Sequence, residues 1–208
     1  MNKELNRVAY HEAAHVVVRY RLGLPIDKVT INKAEINEED TAGFVSGVVI
    51  DRDFWEFLDC DIWEGERDDL SKARQNIIEG EILSFLAGSA MDEINGISDD
   101  EIEQGGRSDR HNAIDFYLHF IGETHDLTAW YKRSRFLAED SFPAVRTIAN
   151  LLSERGTLTG ADAEKVIKQY IPTRDVPSLA GTVCEFREEI RLEKEAKKRW
   201  GLGKNGAF

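Results

Sequence analysis

The chain has 208 residues, 41% of them hydrophobic and 32% charged, a composition typical of a globular protein with one or two domains. Its 27 basic and 39 acidic side chains give a net charge of −12, which argues against nucleic acids and anionic membranes as partners. No segment has the length and apolarity of a membrane helix or a signal peptide. Because Cys60 and Cys184 follow no CxxC spacing, we expect a cytoplasmic protein with reduced thiols.

Hydrophobic periodicity predicts a mainly helical chain. Apolar residues recur every three or four positions over residues 2–22, and β-branched runs at 28–31 and 43–50 predict two antiparallel strands. Residues 51–67 are predicted to be a long loop with at most a short helix, and 95–107 a glycine-rich loop. Further helices are predicted over residues 69–94, 108–121, 124–142, 144–155, 160–170 and 182–200. Ser108 and Thr159 are the predicted caps of two of them.

These elements predict an α+β fold, mainly α, in which a helical bundle carries a small two- or three-stranded antiparallel sheet near the N-terminus. We expect one domain over residues 1–175, followed by a C-terminal helix and tail over residues 176–208.

The first predicted helix contains His11-Glu12-Ala13-Ala14-His15, an HExxH pattern. Histidines four residues apart lie on one helix face, so that both imidazoles can bind one zinc ion, and the adjacent Glu12 can act as general base. A catalytic zinc site needs a third protein ligand. Spacing alone leaves this choice open among Glu79, Glu81, Glu93, Asp109, His111, His119 and His125.

Several segments resemble the peptidase domain of FtsH-type AAA+ proteases. The zinc helix VAYHEAAH at residues 8–15 is similar to that of the family, and LAGSAMDEI at 86–94 resembles the form LxGRxAEEI. GGRSD at 105–109 resembles GASND, and LSERGTLTGAD at 152–162 resembles LLEKETLDGEE. The likeness covers roughly residues 5 to 170.

The resemblance implies that Asp109 is the third zinc ligand beside His11 and His15. It also implies that the strand beginning with Gly43, Phe44, Val45 and Ser46 is an edge strand above the zinc helix. An extended substrate can add to such an edge through backbone hydrogen bonds.

The chain also departs from this family. It has no GxxxxGK[ST] nucleotide-binding motif and no membrane segment, the family's HEAGH is HEAAH here, and Ser89 replaces an arginine. We therefore expect an ATP-independent zinc metalloendopeptidase that hydrolyses unstructured polypeptides or polypeptides delivered by a partner. Homo-oligomer formation and a separate ATPase or adaptor are left open as partners.

Two alternatives use the same residues. A zinc amidase acting on small amides would keep the tetrad but need a closed pocket. A non-catalytic peptide-binding module of the same fold would not need a general base, and the intact Glu12 argues against it.

Overall fold

The computed structural model describes residues 3–35, 43–46, 68–121 and 127–199. Its helices are α1 (Lys3–Arg21), α2 (Asp68–Ile94), α3 (Asp99–Gly105), α4 (Arg107–Phe120), α5 (Thr128–Asp140), α6 (Phe142–Arg155), α7 (Gly160–Ile167) and α8 (Ala180–Arg199). Its strands are β1 (Lys28–Thr30), β2 (Phe44–Ser46) and β3 (Thr157–Thr159). The prediction of a mainly helical protein with a small antiparallel sheet is confirmed.

Helix α1 is the central helix of the described fold. Its residues 11–20 are all buried, and Ala13, Val16 and Val17 have no exposed surface. A helix that is apolar over most of its circumference is stable in water only when other elements cover it. Here α2 packs on one side of α1, and α6 is another major neighbour.

One stripe along α1 is polar, and it faces α2. The stripe consists of Arg7, His11, His15 and Arg19, four residues apart and therefore on one side of the helix. At one end, Arg19 donates two hydrogen bonds of 2.6 and 2.9 Å to the carboxylate of Glu81. At the other end, Arg7 pairs with Asp92 at 2.9 Å. The two helices therefore run antiparallel.

The sheet has the strand order β2-β1-β3, with both pairs antiparallel. Val29 in β1 lies opposite Val45 in β2 and Leu158 in β3. The third strand thus comes from a distant part of the chain, where the sequence predicted only a helix cap. That cap is confirmed, because the Thr159 side chain accepts a hydrogen bond from the backbone N–H of Asp162.

Two local predictions were wrong, and one predicted helix starts two residues earlier than expected. The segment 95–107 is not all loop, because it contains α3. Ser108 does not cap α4: Gly106 precedes the helix, and Ser108 lies inside its first turn. Helix α6 starts at Phe142, before Pro143, since a proline in the first helical turn forfeits no internal hydrogen bond.

The C-terminal helix α8 packs on the rest of the protein through one apolar face. Leu179, Val183 and Phe186 are buried in a cluster with Leu24 and Ile77. Charged side chains of α8 pair with one another on its exposed side, three and four residues apart. The boundary near residue 175 stays a prediction.

Some predictions fall on residues that the structure does not describe. These are the second half of the predicted strand 43–50, the loop 51–67 with Cys60, and the start of the helix predicted from residue 124. Within the described ranges, no helix combines the length and apolarity needed to cross a membrane.

Candidate metal centre

The two histidines of the HExxH pattern lie side by side on α1 and face α2. Their ring centroids are 4.9 Å apart, with the planes inclined at 72°. His11 is 8% exposed and His15 is 7% exposed. Burying two imidazoles is unfavourable unless each ring nitrogen has a hydrogen-bond partner or binds a metal.

The Nδ1 atoms of both rings face acceptors on α2. His15 Nδ1 lies 2.6 Å from the backbone carbonyl oxygen of Ser84, which can only accept, so this nitrogen carries the hydrogen. His11 Nδ1 lies 3.2 Å from Asp92 Oδ2 and donates to it in the same way. Contacts of this kind fix the tautomer of metal-binding histidines and direct Nε2 towards the metal.

Asp109 completes a group of three converging side chains. Its Oδ2 atom lies 3.1 Å from His11 Nε2 and 3.3 Å from His15 Nε2. One ligand atom from each of the three residues lies within 4.8 Å of the other two. Bond lengths of about 2.0–2.1 Å around a tetrahedral zinc ion place neighbouring ligand atoms roughly 3.3 Å apart. The observed spacing fits such an ion.

Close packing between α2 and the start of α4 positions Asp109. Gly106 directly precedes α4, and a Cβ there would overlap the Ser89 hydroxyl oxygen on α2. This contact brings the first turn of α4, with Asp109, towards the face of α2 that also contacts His11.

Gly88 provides the space for His11. A Cβ at position 88 would overlap Nε2, Cδ2 and Cε1 of the His11 ring. The ring cannot move away without leaving its contacts with Asp92 and Asp109. A glycine inside a long helix is unfavourable by roughly 0.5–1 kcal/mol relative to alanine, and the close approach of the imidazole explains its presence.

We expect Gly88→Ala to weaken metal binding by about tenfold or more, because the added Cβ would displace the His11 ring and a binding site tolerates shifts of only about 0.5 Å in its ligands. The measurement is zinc affinity by competition with a chromophoric chelator. Gly80→Ala, two turns earlier in α2, is the matched control, because the nearest atoms to its Cβ would be those of the Leu24 side chain, at 3.1 to 3.3 Å and away from the histidines. Wild-type affinity in Gly88→Ala would contradict this account of His11.

The carboxylates of Glu12, Asp92 and Asp109 lie near the two histidines and make the centre favourable for a cation. Burial lowers the pKa of His11, but the hydrogen bonds to Asp109 and Asp92 outweigh it and hold this pKa at about 10. The pKa of His15 is also raised, because the charge of Asp109 outweighs the effect of burial. Burial raises the pKa of Asp109, yet the two histidines together bring it well below its usual range. A metal ion at this point would therefore replace protons.

Glu12 lies beside the three converging side chains and next to the start of β2. It is 7% exposed, and burial raises the pKa of its carboxyl group. A Cβ at Gly43 would overlap the Glu12 side chain at Cγ, Cδ and Oε1. The backbone just before β2 therefore touches the predicted general base.

The other candidates for third ligand are engaged elsewhere or lie outside the described residues. Glu81 pairs with Arg19, and Glu79 pairs with Gln75 and Arg133. Glu93 accepts a hydrogen bond from Tyr131. His111 is exposed and pairs with Asp115, His119 stacks edge-on against Phe120, and His125 is not described.

Sequence reasoning missed two residues of this centre, Arg7 and Asp92. The spacing contains a signal for the first, because Arg7 precedes His11 by the same four residues that separate the two histidines. Asp92 follows Gly88 by one helical turn. Neither spacing is specific enough to assign a role without the packing of α1 on α2.

The donor set is the one that a divalent transition metal prefers. Two imidazole nitrogens and one carboxylate oxygen are ligands that zinc and related divalent metals accept. No protein-family model matches the chain, and no curated protein is significantly similar to it. The resemblance to FtsH-type peptidases thus remains a prediction from its motifs. The described residues establish a group of two histidines and one aspartate that could hold a metal ion.

Proposed function

We propose that this protein is a zinc metalloendopeptidase that cleaves unstructured or partner-delivered polypeptides without ATP. The observation that carries the proposal is the convergence of His11, His15 and Asp109 beside the buried carboxylate of Glu12. Metal-binding residues alone would serve a structural site. A carboxylate on the same helix, adjacent to the first ligand, is the arrangement of HExxH hydrolases.

Zinc is the proposed metal because of the chemistry of the ligands. Imidazole nitrogen and carboxylate oxygen bind zinc well, and three protein ligands are typical of catalytic sites, whereas structural sites have four. When bound, zinc supplies Lewis acidity that polarises the scissile carbonyl and makes water a nucleophile near neutral pH.

The protein's own contribution to the reaction is the handling of protons by Glu12. Its carboxylate accepts a proton from the attacking water and later donates it to the leaving amine. Burial raises its pKa, which makes it a stronger base than an exposed glutamate. The hydrogen bonds at Nδ1 of both histidines hold the rings in place and leave Nε2 of each ring to face the metal.

Strand β2 is the proposed docking strand for the substrate, through Gly43, Phe44, Val45 and Ser46. Within the described residues, β2 pairs only with β1 and is an edge strand. Its start touches Glu12 through Gly43. A polypeptide added along this edge would gain backbone hydrogen bonds independent of its sequence and pass next to the base. Only an extended chain can pair in this way, which supports unstructured substrates.

The test is a protease assay on the purified protein with its metal content measured. We expect about one zinc ion per chain, cleavage of casein, loss of cleavage after treatment with a chelator, and recovery when zinc is returned. A tightly folded protein should remain intact, since its chain cannot pair with β2. Full activity in metal-free protein would reject the proposal, as would zinc-loaded protein that leaves casein intact.

A further inference from the structure

Arg7 lies one helical turn before His11 and contacts two groups next to the metal centre: Asp92, which is the partner of His11, and the helix α3, which precedes the helix that carries Asp109. Its Nη2 atom donates a hydrogen bond of 2.9 Å to Asp92 Oδ2, and Nε donates to the same oxygen at 3.3 Å. Nη2 also donates to the backbone carbonyl oxygen of Glu101 at 2.8 Å. One guanidinium group thus joins α1, α2 and α3.

The first of these partners orients a predicted metal ligand. Asp92 is 1% exposed, and its Oδ2 atom accepts from both Arg7 and His11 Nδ1. Its Oδ1 atom has no hydrogen-bond partner within the described residues. A buried carboxylate is strongly unfavourable unless it is paired. Arg7 and His11 are the two groups that hold it, so that without Arg7 the carboxylate would depend on His11 alone.

The second partner belongs to the segment that leads to Asp109. Glu101 lies in α3, and α3 ends at Gly105, one residue before the glycine that precedes α4. A Cβ at Gly105 would lie 2.5 Å from Arg7 Nη2, so the guanidinium also packs against this junction. The carbonyl of Glu101 therefore links Arg7 to the stretch of chain that carries the third ligand.

We propose that Arg7 is a positioning residue that holds His11 and Asp109 in binding geometry together. This role rests on the proposed metal function of the site, and Arg7 itself touches neither metal nor substrate. The forked guanidinium is suited to the task, because it can donate to a carboxylate and a carbonyl at once. A lysine at this position would carry its charge on one ammonium group and would lack the planar fork of donors.

The test compares zinc affinity in Arg7→Met, Arg7→Lys and a matched control. Loss of a group that supports metal ligands typically weakens metal binding by about 10- to 100-fold, and we expect this for Arg7→Met. Arg7→Lys should recover part of the affinity through Asp92. Arg21→Met is the control, because Arg21 lies on the same helix and pairs with Asp140 and Asp175 at its far end.

Thermal unfolding and the visible absorption of cobalt-loaded protein complete the comparison. Arg7→Met and Arg21→Met should both lower the melting temperature, but only Arg7→Met should weaken zinc binding and change the cobalt spectrum. Equal losses of zinc affinity in the two variants would show that Arg7 stabilises the fold and does not position the metal ligands. Unchanged affinity and spectrum in Arg7→Met would reject the proposal.

A second variant displaces Arg7 without removing its charge. Gly105→Ala would push the end of a flexible side chain, which is a small disturbance to folding, and should weaken zinc binding several-fold. Gly181→Ala, where a Cβ meets nothing within 4 Å, should bind zinc as wild type does. If Gly105→Ala also behaves as wild type, the guanidinium does not position the ligands.

These affinities are measured without substrate, which separates the positioning role from the proposed enzymatic activity. Weakened zinc binding in Arg7→Met, together with a wild type that leaves casein intact, would keep the positioning role and reject the peptidase. A wild type that cleaves casein, together with unchanged zinc affinity in Arg7→Met, would reject the positioning role alone.

Discussion

Glu12→Gln is expected to lower casein cleavage by about 10²- to 10⁴-fold, the usual contribution of a general base, and to retain zinc. Glutamine has nearly the same shape, so packing against Gly43 should persist. Its amide cannot accept the proton of the attacking water at neutral pH. The variant thus removes one chemical step and leaves the ligands His11, His15 and Asp109 in place.

The measurement combines cleavage rate with zinc content for each protein. Glu79→Gln is the matched control, because Glu79 is an acidic residue on α2 that pairs with Arg133 at 3.1 Å, away from the histidines. It should cleave at the wild-type rate. If Glu12→Gln cleaved casein as fast as wild type, the assignment of the base would be wrong.

Asp109→Ala should lose zinc, with an affinity loss greater than the roughly 10- to 100-fold typical of outer-shell partners. The change removes the one carboxylate oxygen that both Nε2 atoms face, at 3.1 and 3.3 Å. Two imidazoles alone bind a metal weakly, because neither charge neutralisation nor a third coordination bond remains. Hydrolysis should fall in parallel with zinc occupancy.

Asp115→Ala is the control for this change. Asp115 lies on the same helix, is exposed and pairs with His111 at 3.3 Å, so that its loss should leave zinc binding intact. Unchanged zinc occupancy in Asp109→Ala would contradict the assigned ligand. Attention would then return to the carboxylates at positions 79, 81 and 93.

Local patterns were sufficient to predict α1 and the position of His11 and His15 on the same face of that helix. Both follow from the helical repeat within one segment. The third ligand did not follow from spacing, because Asp109 is 98 residues from His11 along the chain and only packing brings them together. Its choice came from the resemblance to FtsH-type peptidases. Strand β3 was missed for a similar reason, since three residues form a strand only beside β1.

The short helix α3 was missed because composition and structure disagree there. Residues 99–105 are acidic and end in glycine, which favours a loop prediction, but Asp99 and Asp100 lie in the first helical turn. Negative charge at that end of a helix interacts favourably with its dipole. The contacts of Arg7 and Asp92 with the metal centre depend on the packing of α1 against α2, which spacing along the chain does not show.

The polar stripe of α1 also fixes how far α1 can slide along α2. Two helices that pack through leucines alone can shift along each other by one turn and still form equivalent contacts. Here such a shift would bring Arg19 opposite Ser84 and leave the carboxylate of Glu81, 1% exposed, buried without a cation. A buried unpaired charge is strongly unfavourable, so one alignment of the two helices is selected. The ion pair of Arg19 with Glu81 thereby keeps His11 level with Gly88 and His15 level with Ser84.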